Sequence, residues 1–266
     1  MSEHTRLRGQ PHGLPLLTVY AIAAYLCLYL PIFLLVLFSF NNSKFSVNWT
    51  GFTLKWYGDL FADKAIWAAT RNTLIVGLTS TLVSTLIGTA AALALHRYDF
   101  RGKGFSEAAL YLAIMIPEVV LGIALLAFFA QTGFSLGLPT IITGHIVFSL
   151  PFVALTVRAR LPGMNRSLEE AAMDLGANEV VTFWRVTLPL IMPGVLSGAL
   201  LAFTLSLGDC VITMFTAGPG STTLPLRVFS MLKTVVTPKV NALSTLWILT
   251  VFVVLLVSQR LQARKA

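Results

Sequence analysis

Six stretches of about 20 apolar residues, set apart by short charged segments, constrain this chain more than any other feature, because a helix of that length crosses a bilayer. They lie near 15–39, 68–95, 107–131, 139–158, 192–216 and 241–259. Composition agrees: 56% of the 266 residues are hydrophobic and 11% are charged, against about 25% charged in a soluble domain. A soluble core does not explain that deficit. The expected architecture is an all-α integral membrane protein with six transmembrane helices, residues 1–266 forming a single transmembrane domain.

The net charge of +8 does not point to nucleic acid. Its basic residues sit in short clusters between apolar runs, where they act as topology signals. Placing the N-terminus inside assigns twelve of the 19 Lys and Arg to the cytoplasm, among them Arg6, Arg8, Arg97, Arg101, Lys103, Arg264 and Lys265. Both termini are therefore expected to be cytoplasmic. The run from Leu14 to Phe40 is too long for a signal peptide and reads as an uncleaved first span. Cys27 and Cys210 fall far apart inside apolar runs and read as small buried hydrophobes, with no metal site.

Two segments assigned to the outside are more than turns. Residues 41–66 hold Trp49, Trp56 and Tyr57, an aromatic set that fits either an interfacial anchor or a cover over a pathway mouth. Residues 218–240 begin Gly218-Pro219-Gly220, a turn, and continue as a short amphipathic helix from Leu224. A short turn around Gly133 to Leu138 makes a tight hairpin of the third and fourth spans.

In lipid, small residues at four-residue spacing mark where helices meet. Ser80, Ser84 and Gly88 form one such stripe, with Thr81, Thr85 and Thr89 beside it. Gly194, Gly198, Ala202 and Ser206 form another. Asp209, fifteen residues beyond Gly194, returns to within about 60° of that face. An acid inside a span costs about 2.5–3.5 kcal/mol and is a functional candidate by default. Asp209 and Glu118, the latter beside Pro117 near the middle of the third span, qualify. Both suit a cationic amine, and Trp49, Trp56 or Phe203 would add cation–π attraction. The structural alternative pairs these acids with Arg71 or Arg227, or protonates them between helices. His145 reads chiefly as a histidine bonded to a neighbouring helix, with a proton relay as the other reading.

Between the fourth and fifth spans, Ser167 and Glu170 read as a capping box that starts a helix at Leu168, and Gly176 suits its end. A second helix is expected from Asn178 to Leu188, stopped by Pro189. The loop 160–190 is thus a compact helical hairpin, with Ala171 and Ala172 permitting close approach by another surface. Glu169 and Glu170 stand where charge would meet a partner or the helix dipole.

Glu170-Ala171-Ala172, Gly176 and Val186-Thr187-Leu188-Pro189 resemble the motif E-A-A-x3-G-x9-I-x-L-P of permease subunits in binding-protein-dependent ABC importers, with Val186 in place of Ile. The resemblance implies a type I importer permease fold in a bacterial inner membrane and gives Glu169, Glu170, Ala171, Ala172, Gly176, Leu188 and Pro189 the role of coupling to an ATPase. Further stretches, including Pro117-Glu118-Val119, Ala202 to Asp209 and Thr223 to Leu226, are similar to the spermidine/putrescine branch. Relatives there often carry a second acid where this chain has Gly208. That branch implies a heterodimer with a second permease, two ATPase subunits holding ATP and Mg, an external binding protein and a small cationic cargo moved by alternating access. The candidate pathway in this chain comprises Asp209, Glu118, Ser206, Phe203, Trp49, Trp56 and Tyr57.

No G-x-x-x-x-G-K-[ST] loop occurs, since Gly102-Lys103 is followed by Gly104. The chain is therefore expected to hold no cofactor and to catalyse nothing. Other readings are the same machine carrying thiamine, ferric iron or a phosphonate, a transporter driven by an ion gradient, and an intramembrane enzyme using Asp209 with His145.

Overall fold

The structure is a computed structural model describing residues 14–44, 48–234 and 237–263. Arg6, Arg8, Arg264 and Lys265, which enter the orientation argument, lie outside the described residues. In chain order the helices are α1 (Leu14–Phe38), α2 (Lys55–Phe61), α3 (Lys64–Arg97), α4 (Lys103–Met115), α5 (Glu118–Thr132), α6 (Leu138–Arg158), α7 (Ser167–Asp174), α8 (Glu179–Thr182), α9 (Leu188–Gly208), α10 (Val211–Thr216), α11 (Leu224–Thr234) and α12 (Pro238–Ala263). A 3₁₀ turn covers Leu161–Gly163 and a π-turn Phe183–Thr187. Among the described residues the β-structure is one isolated bridge, Asn41 to Phe52. The chain divides into two compact units, Met1–Leu60 with Val235–Leu246, and Phe61–Thr234 with Trp247–Ala266.

In the first unit, α1 is apolar all round and exposes every side chain from 17 to 34, Cys27 included. That thiol looks outward instead of being buried. The segment after α1 is organised by Asn41, which is fully buried. Its amide donates to Asn48 O and its carbonyl oxygen accepts from Thr50 N, while the Trp56 indole N–H donates to the Asn41 backbone carbonyl at 2.7 Å. Tyr57 joins its hydroxyl to that of Ser39 at 2.7 Å and lays its ring on Phe40.

The second unit is built on α3, α6 and α9. Asp63 caps α3 through Ala65 N and Ile66 N, and the helix then runs 34 residues, about 50 Å. Its buried stripe contains Ser80, Ser84, Gly88 and Ala92; that of α9 contains Gly194, Gly198, Ala202 and Ser206. These are the small-residue seams read from spacing. Val153 of α6 is keyed between two glycines: a Cβ on Gly88 would lie 2.9 Å from its side chain, and one on Gly198 3.2 Å. Ala92, Val153, Val157, Leu161, Ile191 and Ala202 complete this core. The hairpin turn is as expected, with Gly133 at φ +74° ending α5, and α11 begins at Leu224.

Three expectations need correction. The third span is two helices, α4 and α5, bent by 111°. Pro117 lacks an N–H and drives Ile116 into extended backbone (ψ 127°), so the helix cannot continue. Pro189, in contrast, stops nothing: Leu188 N–H reaches back five residues to Phe183 O, and this wider turn makes room for the proline ring, so α8 and α9 form one helical run from Glu179 to Gly208. The fifth span instead breaks after Gly208, where Asp209 is extended (ψ 130°). Four helices among the described residues are long and apolar enough to cross a bilayer, and five if the bent pair counts as one.

The keyed valine makes a prediction. Gly88→Ala is expected to destabilise the purified protein by about 1–3 kcal/mol, and Val153→Ala in the same chain to restore part of that loss. Thermal unfolding in detergent measures both; an additive double variant refutes the keying.

Candidate functional site

The loop between α6 and α9 presents the first candidate surface. α7 ends in a full Schellman arrangement: Gly176 N donates to Met173 O and Ala177 N to Ala172 O, with Gly176 at φ +90°, a conformation that favours glycine. Asn178 then caps α8 by accepting from Val181 N at 2.8 Å. The expected capping box does not form. Ser167 is the first residue of α7, and its hydroxyl and N–H both donate to Asn165 Oδ1. Glu170 and Ala171 are exposed, Ala172 is half-buried, Gly176 and Pro189 are exposed and Leu188 is half-buried.

Glu169 points the other way. It is 7% exposed, and its Oε1 accepts from Arg97 Nη2 of α3 and from the Thr187 hydroxyl, which closes the π-turn. Arg97 Nη2 also lies 3.4 Å from Thr187 Oγ1. Nearby, Arg158 at the end of α6 pairs with Glu107 of α4 at 2.7 Å. Asp99, in the turn after α3, accepts from Lys103 Nζ at 2.8 Å, and that hydrogen bond and charge hold its carboxyl below the usual range.

The second candidate is a buried polar cluster where α3, α6, α9 and α10 meet. Asp209 bridges the break between α9 and α10 and caps α10, accepting from Ile212 N at 3.1 Å and Thr213 N at 2.9 Å. His145 of α6, 1% exposed, sets Nε2 3.1 Å from Asp209 Oδ2 and 3.0 Å from the Thr213 hydroxyl. Its Nδ1 lies 2.6 Å from Ser206 Oγ, which is 3.2 Å from Ser80 Oγ. The consistent assignment puts the imidazole proton on Nε2, facing the carboxylate, with Nδ1 accepting from Ser206. Serine, histidine and aspartate in a row invite comparison with a hydrolytic triad. Ser206 is 3% exposed and covered by α3, which leaves no space for an acyl group, so the trio fastens helices.

Glu118 differs from Asp209. It is the first residue of α5 at the 111° bend, exposed in this chain, and its side chain makes no hydrogen bond or ion pair among the described residues. It lies near enough to Asp209 to feel its charge. Phe203 is half-buried and packs over Gly77. The structure thus brings Asp209, Ser206 and Glu118 into one neighbourhood. Trp49, Trp56 and Tyr57 belong to the first unit, where Trp56 and Tyr57 bind the loop and Trp49 exposes its ring beside Phe38. Neither Arg71 nor Arg227 is the partner of either acid. Sequence reasoning took Arg97 only as a topology signal and Thr187 only as part of the loop motif, and missed the contact of both with Glu169; the available signal was a basic residue in the last turn of α3.

Removing His145 takes one donor from a buried carboxylate that keeps Ile212 N, Thr213 N and the Thr213 hydroxyl. His145→Leu is expected to cost about 1.5–3 kcal/mol, part of it regained when Asp209→Asn is added. Equal melting of the single and double variants in detergent refutes the pairing.

Residues 84–264 match the family described as binding-protein-dependent transport system inner membrane component. The chain is 43% identical, over 89% of its length and 90% of the relative's, to the spermidine/putrescine transport system permease protein PotC of Escherichia coli (strain K12). It is 40% identical to the putrescine transport system permease protein PotI of the same strain, covering 92% of this chain and 90% of that one. Among solved structures it shares its fold, at a TM-score of 0.73 and 20% identity over 93% of this chain and 95% of the other, with a bacterial ABC transporter that imports the acidic polysaccharide alginate. The membrane-length helices, the Glu170-Ala171-Ala172 loop closed by Gly176 and these likenesses agree: the chain belongs to the family of binding-protein-dependent transport system inner membrane components.

Proposed function

We propose that this chain is one permease of a heterodimeric, ATP-driven importer in a bacterial inner membrane, and that its cargo is a polyamine such as putrescine or spermidine. The 43% identity to a spermidine/putrescine permease over 89% of the chain carries this reading. Residues 1–266 serve as one permease with six spans: α1, α3, the broken pair α4–α5, α6, the run α8–α9, and α12. Lys and Arg are denser in 96–104 and 158–185, seven in 37 residues, than in 41–66 and 218–240, six in 49, which supports placing α7 and both termini in the cytoplasm.

In this reading α7 is the docking element. Its exposed Glu170 and Ala171, with Ala172 and the turn at Gly176, meet one of two ATPase subunits, which hold ATP and Mg²⁺; Leu188 and Pro189 begin the span that receives the motion. The permease itself hydrolyses nothing. An external binding protein delivers the cargo, and alternating access moves it inward.

Glu118 is the group that meets the amine. A cation leaving water needs a charge-assisted acceptor, and this carboxylate is available, whereas the oxygens of Asp209 are occupied by His145, Thr213 and two backbone N–H groups. Asp209 acts on Glu118 by charge, and Ser206, which holds His145, and Phe203, which packs over Gly77, act through the packing they secure. In the first unit, Trp49, Trp56 and Tyr57 stay the aromatic candidates for the pathway.

The complex reconstituted with its binding protein tests the cargo: putrescine or spermidine is expected to raise ATPase activity. Stimulation by thiamine, ferric iron or a phosphonate in their place overturns the amine assignment, and a purified assembly lacking an ATP-consuming subunit overturns the importer. Glu118→Gln is expected to lower amine uptake about tenfold, the worth of one hydrogen bond to a charge, while stimulated ATP hydrolysis persists. Unchanged uptake removes Glu118 from the pathway.

A further inference from the structure

A short helix in a folded protein is ordinarily held by an apolar stripe. α7 has none, and its one buried side chain is Glu169, while Leu168, Met173 and the following Leu175 are exposed. What secures the helix is a carboxylate oxygen shared by two donors from two other elements: Arg97, the last residue of α3, and Thr187, the residue before α9 begins. Both charges stand where a helix dipole supports them, Glu169 in the first turn of α7 and Arg97 in the last turn of α3.

The mechanical character of such a joint differs from that of a packed face. Interdigitated side chains resist tilting, because rotation opens voids along the contact. A single oxygen held by two donors resists separation and tolerates rotation about itself. The two helices it reaches, α3 and α9, are the ones that supply Ser80 and Ser206 to the buried cluster.

Resting on the reading that α7 receives an ATPase subunit, we propose that Glu169 is a positioning residue turned away from that partner. With Arg97 and Thr187 it forms a polar pivot that passes displacement of α7 to the ends of α3 and α9. Contact with the partner falls to the exposed side of α7, beginning with Glu170, and transmission to the inward side.

The experiment uses the complete complex in liposomes with its binding protein, recording ATP hydrolysed and amine taken up in the same preparation. Arg97→Glu and Glu169→Arg are each expected to lower uptake per ATP about fivefold or more, the low end of typical coupling between sites. The double exchange, which restores opposite charges, is expected to recover most of the ratio, and Thr187→Val to show a smaller loss of the same kind. Should the reversals fail to assemble, Glu169→Gln decides, since it keeps the shape and drops the charge: a reduced ratio supports the pivot and a wild-type ratio overturns it. Unchanged ratios in the single reversals, or a double exchange no better than they are, also overturn it. Wild-type complex that loaded binding protein does not stimulate sinks the docking reading and the pivot with it; stimulated wild type with unaltered variants sinks the pivot alone.

Discussion

Lipid gives apolar helices no reason to associate, so the second unit depends on how closely the backbones of α3, α6 and α9 approach one another. Glycine, alanine and serine along their facing stripes allow it, and Val153 fills the space between Gly88 and Gly198. That approach brings Ser80, Ser206 and His145 within hydrogen-bond range. The remaining elements are arranged upon it: α10 hangs from Asp209 and packs on α5, where Gly122 admits the ring of Phe215. The 218–224 segment is tied to α3 by Asn72, which donates to Gly220 O and Thr222 O, and by Thr73, which accepts from Leu224 N.

Two interruptions of apolar helix carry the two intramembrane acids, and they are resolved in opposite ways. At Gly208 to Cys210 the freed N–H groups at the start of α10 are taken up by Asp209, which also accepts from His145 and the Thr213 hydroxyl. That break is closed and rigid. At Pro117 the helix turns through 111° and leaves Glu118 with an open carboxylate. Irregular backbone at membrane depth persists where protein covers it or a cavity solvates it; the break at Gly208 is of the first kind, with Asp209 buried.

What was legible in the sequence was local. Gly176 and Asn178 were readable because a left-handed residue and a cap each act within four residues. The seams at Ser80–Gly88 and Gly194–Ser206 were readable because small residues repeat at helical spacing. Pairings across long separations were not. Glu169 reads from the sequence as a charge that meets a partner or the helix dipole, and its pairing with Arg97 is hidden by a separation of 72 residues. Asp209 and His145 were each recognisable as unusual, yet nothing in their spacing joined them, and the helical arc drawn to Asp209 overran a helix that ends at Gly208. Ser167 matched a capping pattern that Asn165 pre-empted by offering a nearer acceptor. Proline was the most ambiguous sign, since Pro117 ends a helix and Pro189 sits inside a continuous helical run.

The five-residue π-turn at Phe183–Thr187 explains that second proline and has a geometric consequence of its own. A π-turn accommodates one amino acid beyond the α-turn it replaces, and each residue of a helix is worth about 100° of rotation about its axis. A plain insertion into an α-helix would swing α7 and α8 around α9 by that angle; here the extra residue is absorbed inside the turn. Shortening the stretch by a single amino acid, with Thr187 spared, would therefore keep the bearing of the hairpin but restore an α-turn, which leaves the ring of Pro189 no room. One residue of slack settles both where the hairpin aims and whether a proline fits within the run.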